Sequence, residues 1–132
     1  MAESGNIHKT YGALTVNNTS NLNSIRLTGK SSITQGSTLN TAVTLDSPAG
    51  FISTLNTSGA LLTTLGSASF TVNNVCVKSD SIVLSNIVNF GGAGVPNIRV
   101  GSITDGSFSI TLTNVDWINP LTGSIKIAFS IL

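Results

Sequence analysis

Apolar and polar residues alternate along most of this chain with a period of two, most strictly near its end. In GSFSITLTNV (106–115), Phe108, Ile110 and Leu112 alternate with Ser107, Ser109, Thr111 and Thr113. In GSIKIAFSIL (123–132), Ile125, Ile127, Phe129 and Ile131 alternate with Ser124, Lys126, Ala128 and Ser130. A period of two with branched and aromatic residues on one side marks a half-buried strand, so the chain is expected to end in a pair of strands. The connector between them holds Trp117, Asn119, Pro120 and Gly123.

The same pattern, weaker, runs back through the chain. Residues 41–45 alternate, SPAG (47–50) makes a turn, and Phe51 opens another strand. The segment LNTSGALLTTLG (55–66) is bracketed by Gly59 and Gly66 and reads as a loop. Residues 67–78 resume with Phe70/Val72 and then Val75/Val77, and the change of parity across Asn73-Asn74 predicts a β-bulge. Residues 81–90 read as a mostly buried strand, GGAGVP (91–96) breaks it, and Ile98, Val100 and Ile103 form the next. These are about eight strands with no helical pattern, which defines an all-β fold, an antiparallel, jelly-roll-like β-sandwich. An immunoglobulin arrangement is disfavoured, because Trp117 lies in a late turn and there is no second Cys.

Ahead of the sandwich the pattern thins. Residues 1–10 have no periodicity, and residues 12–36 place single apolar side chains, among them Leu14, Val16, Leu22, Ile25 and Leu27, between small polar ones. We therefore divide the chain into an extended N-terminal arm with short strands (1–36) and a sandwich domain (37–132). Sparse strands of this kind fit either several chains wrapping round a shared axis or a strand with loops lying on the main domain.

Composition sharpens this. Only 8% of the residues are charged and the formal net charge is +1, so little self-repulsion keeps copies apart, which points to assembly. Lys9, Arg26 and Lys30 against Glu3 give the first thirty residues +2; Lys78, Arg99 and Lys126 against Asp46, Asp80, Asp105 and Asp116 give the remainder −1. Six scattered basic residues argue against nucleic acid as a partner, and the mildly basic arm suits an acidic docking surface. The N-terminus has no apolar core of signal-peptide length and no run is long enough to span a bilayer, so neither secretion nor membrane insertion is expected.

Candidate chemistry is sparse. The single Cys, Cys76, sits in an apolar run and is expected to be a small buried hydrophobe. The single His, His8, lies in the arm, so a catalytic triad or a histidine metal cluster is not expected, nor is any cofactor. Asp46, Asp80, Asp105 and Asp116 all fall at turns, where Asp binds backbone amides. The glycines of 91–94 precede a strand instead of a helix, so they form a loop with positive φ and not a phosphate cradle. Trp117, with Asp116 and Asn119 beside it, has three open readings: a subunit or capsid contact, a sugar platform, or a lid on the end of the sandwich.

Taken in order, TAVTLDSPAGFIST (41–54), GSASFTVNNVCVKSDSIVLSNI (66–87), GGAGVP, GSFSITLTNV and GSIKIAFSIL resemble a family of small bacteriophage virion proteins. The resemblance covers about two thirds of the chain. It implies a trimeric β-sandwich on a capsid surface, a cement or decoration protein, or a related fibre-tip knob; GALTVNNTSNLNSIRLTGKSSITQG (12–36) is similar to fibre-shaft repeats. The expected role is thus non-enzymatic: a homotrimer bridging major capsid protein subunits, assembled in a host cytoplasm and carried on the virion. The alternative is a fibre tip that binds a host surface receptor. Lys9, Tyr11, Arg26 and Lys30 are the expected capsid-docking residues, and Phe108, Ile110, Ile125, Ile127 and Phe129 the sandwich core or trimer axis. The connector with Asp116, Trp117 and Asn119 departs from the family pattern and is the expected contact loop.

Overall fold

The computed structural model describes residues 29–132, and these fold as two four-stranded sheets and one two-stranded sheet. Ten strands follow in order: β1 (Lys30–Thr34), β2 (Val43–Thr44), β3 (Ala49–Ser53), β4 (Ala60–Leu62), β5 (Ser67–Asn73), β6 (Val83–Phe90), β7 (Pro96–Thr104), β8 (Ser107–Asn114), β9 (Leu121–Thr122) and β10 (Ile125–Ile131). Sheet A runs β1-β3-β10-β6, sheet B runs β2-β5-β8-β7, and β4 pairs with β9. The fold is an all-β sandwich.

It is not wholly antiparallel. β1 runs parallel to β3, and β2 parallel to β5. The cause is connectivity: after β1 the chain crosses to β2 in sheet B before returning to β3, and parallel neighbours need such a crossover. Only β7 and β8, joined through the tight turn at Gly106 (φ +87), are consecutive strands paired in one sheet.

The two strictly alternating runs are not paired with each other. β8 is an inner strand of sheet B and β10 an inner strand of sheet A, so they face one another across the core. The Phe108 and Phe129 rings meet there with centroids 5.6 Å apart at 56°, the tilted contact that aromatic quadrupoles favour. Around them Ile52, Phe70, Val72, Ile110, Leu112, Ile125 and Ile127 are buried. Phe108, Ile110, Ile125, Ile127 and Phe129 all belong to this core of a single chain, which leaves them no surface to offer a second one.

Five expectations are corrected. Residues 55–66 are not all loop, because Ala60–Leu62 forms β4 against β9. No bulge forms at Asn73-Asn74: β5 ends at Asn73, and buried Asn74 turns inward, its Nδ2 donating to Ser47 O and its Oδ1 accepting from Cys76 N. That turn leaves Val75 and Cys76 exposed and buries Val77, so Cys76 is a surface thiol. The strand within 81–90 is half-exposed instead of mostly buried. The proposed division at residue 36 also cuts through the sandwich, since β1 is an edge strand of sheet A and buried Gln35 donates to Leu39 O and Thr41 O.

The outer faces differ in chemistry. Sheet B presents Ser67, Ser69 and Thr71 beside Thr113, Thr111 and Ser109, with Ser67 Oγ–Thr113 Oγ1 at 3.1 Å and Ser69 Oγ–Thr111 Oγ1 at 2.7 Å. Sheet A presents Phe51, Leu84, Val88 and Ala128 over the buried Ala49, among Lys126, Ser130, Asn86 and Asn89. The sandwich is also polar from end to end. The chain enters β1 beside Pro48, at the end holding Asn74, Gly106 and Leu132, whereas β8 delivers residues 114–120 to the other end.

Candidate functional site

Asn114 closes β8 and organises that far end. Its side chain is fully buried, 0% exposed, yet satisfied at every position. Nδ2 donates to Thr63 O at 3.1 Å and Asn119 O at 2.9 Å, and Oδ1 accepts from Val95 N and Asp116 N, both at 3.1 Å. One amide thereby ties together the turn after β4, the glycine loop before β7 and the connector after β8. The glycine loop is drawn in closely: a Cβ on Gly92 would overlap the Thr122 carbonyl, and Gly94, at φ +87, lies against Leu121 and Pro120. Gly94 thus supplies the positive φ expected of the loop at 91–94.

Onto this frame Asp116 builds a turn. Its Oδ1 accepts from Ile118 N at 2.7 Å and Asn119 N at 3.0 Å, and its Oδ2 from Asn119 Nδ2 at 3.0 Å. The side-chain hydrogen bond from Asn119, then the backbone bonds from Asn119 and Ile118, hold the Asp116 carboxyl below its ordinary value, so it is ionised at neutral pH. Asp46 and Asp105 act alike elsewhere, accepting from Val75 N and Ser79 N.

The turn holds Trp117 out, 76% exposed, so the indole is not a lid on the core. Leu65, Val95, Val115 and Ile118 are also exposed there, and backbone bonds from Leu65 N to Asp116 O and from Val115 N to Val95 O bring them alongside. Leu65 adopts φ +56, a conformation that a leucine occupies only when its surroundings impose it. The result is an apolar tip around one anionic turn, suited to docking into an apolar cleft.

The remaining expected site residues lie elsewhere. Lys9, Tyr11, Arg26 and His8 fall outside the described residues. Lys30 is exposed at the start of β1, at the opposite end from Trp117. Sequence reasoning missed Asn114 and Leu65; the signal available for Asn114 was an amide ending a strict alternation on its apolar side. Among the described residues no three His, Cys, Asp or Glu side chains group as a metal site requires. Comparison with protein-family models, with curated proteins and with solved structures finds no match to this chain.

Proposed function

We propose that this chain is a non-enzymatic virion structural protein, a cement or decoration protein that trimerises and bridges major capsid protein subunits on a phage head. The observation that carries the reading is the surface itself: a chain of net charge +1 exposes an apolar strip, Leu84 and Val88 with Ile82 and Leu132, on one outer sheet face and an apolar tip at one end. Monomeric proteins rarely leave such patches uncovered, whereas a subunit of an array is covered by its neighbours. In this reading the basic arm, with Lys9, Tyr11, Arg26 and Lys30, docks on the capsid. Many symmetric copies, each contributing a modest contact, then stiffen the shell. Added to capsids that lack it, the purified protein is expected to bind in hundreds of copies and to raise their melting temperature. Binding to host cells with no addition to capsids overturns this reading.

A second reading, a receptor-binding fibre tip, is favoured by the polarity of the sandwich. The preceding chain enters at one end and Trp117 stands at the other, as the apex of a shaft would require. It predicts a few tens of copies per virion and loss of host-cell binding in Trp117→Ala.

A further inference from the structure

The two outer faces of the sandwich pose a question that the core does not. Cross-strand hydroxyl pairs cover sheet B in a layer that water can wet. On sheet A, Leu84 (54% exposed) and Val88 (49%) stand on β6, and Ile82 and Leu132, whose backbones bond each other in both directions, extend the row past the strand ends. The register shift between Lys126 and Ile127 adds to this, since it leaves Val88 and Asn89 both exposed. Beside the row the sheet dips. Ala49 and Ala128 are too small to fill the space between Phe51 and Leu84, and a trough of about 510 Å³ lies over them, with Lys30, Asn86 and Ser130 at its sides.

The edges of the sheets carry the same asymmetry. Unpaired strand edges are ordinarily guarded by charge, by proline or by brevity. β1 begins with Lys30, β7 begins with Pro96 and carries Arg99, and β2 is two residues long. β6 reads VLSNIVNF, eight residues with neither charge nor proline, and it pairs only with β10. The unguarded edge is thus the one that borders the apolar row.

We propose that the outer face of sheet A, together with the free edge of β6, is the surface through which this chain packs against a second copy of itself. The proposal rests on, and deepens, the reading of the chain as a self-assembling subunit. Size favours a protein over a small ligand: four strands about 4.8 Å apart and about six residues long span roughly 19 by 21 Å, which the β6 edge, Ile82 and Leu132 extend. With the relief of its side chains, such a footprint approaches the ~600 Å² that each partner gives at the lower end of stable interfaces. The bare edge favours another copy: the unpaired backbone donors and acceptors of β6 can be met by a second β6 running antiparallel. The cations of the face are Lys30 and Lys126, the latter already 4.6 Å from the Phe51 ring centroid, and a chain of net charge +1 barely repels its own kind.

Sedimentation velocity on the full chain at micromolar concentration tests this. Wild type is expected to sediment well above the 13.5 kDa of one chain. Leu84→Lys/Val88→Lys is expected to sediment as one chain with unchanged circular dichroism, and Val75→Lys, an exposed apolar position outside the face, as wild type does. A wild type that is a single chain throughout, a lysine double variant that keeps its mass, or a Val75→Lys variant that dissociates equally overturns the proposal. Should the lysine pair fail to fold, Leu84→Ala/Val88→Ala is expected to raise the dissociation constant by about tenfold or more; an unchanged constant overturns it too. If wild type assembles through this face yet does not add to capsids, the virion reading fails and the face assignment stands.

Discussion

At the scale of single residues, Asn114 and Asp116 do separate jobs at the same end of the molecule. Asn114 is buried and its four hydrogen bonds all reach backbone groups in other segments or further along the connector. Asn114→Ala would leave two carbonyls and two amides without their partner, and each such group costs about 1–3 kcal/mol if it stays dry. With some of them regaining water, we expect a loss of about 2–4 kcal/mol in urea unfolding; Asn114→Asp would keep an acceptor for the Val95 and Asp116 amides but leave the Thr63 and Asn119 carbonyls unpaired. Asp116 is exposed and acts on the conformation of its own turn. Its folded pKa lies below its ordinary 3.8, so the stability it lends the turn is fully present above 3.8 and is lost as the pH falls through the lower, folded value. Because Trp117 is the only tryptophan, its fluorescence reports on this turn alone. Acrylamide quenching and anisotropy are expected to hold constant from neutral pH down to 3.8 and to show a looser indole only as the pH falls further, through the lower folded value. Asp116→Ala should show the looser signal at every pH, with the melting of the sandwich little changed.

At the scale of elements, the contact between β1 and β3 depends on a glycine. A Cβ on Gly50 would lie 2.6 Å from Ser31 O and 2.9 Å from Leu45 Cδ2, contacts that must move apart. Gly50→Ala is therefore expected to cost about 1–3 kcal/mol, the usual penalty for overpacking, and to raise amide exchange first in β1. The alternation that made β8 and β10 legible did not say which sheet each joins, since a period of two is the same in either. β4 escaped notice because Ala60–Leu62 is shorter than any window in which periodicity can be counted. β6 was misread for the opposite reason: Leu84 and Val88 look like core in a sequence, and only the sheet's geometry places them outside. At Asn73-Asn74 the parity change was real, but it records a strand end held by the Asn74 side chain.

At the scale of the whole molecule, the all-β class was legible because it needs only the sum of many short alternating runs. The mixed pairing of the sheets was not, because it follows from crossovers that leave no local mark. The candidate site was half legible. Trp117, Asp116 and Asn119 stood out as a departure from the surrounding pattern, whereas Leu65, Val95 and Asn114 join them only through contacts between segments distant in sequence. The opposition of the chain's point of arrival to Trp117 has a practical side. The eight residues of β8 reach about 26 Å from the Gly106 end to Asn114. A bead, a carrier protein or a biosensor chip coupled ahead of Gly29 would thus join the sandwich at the end away from the indole.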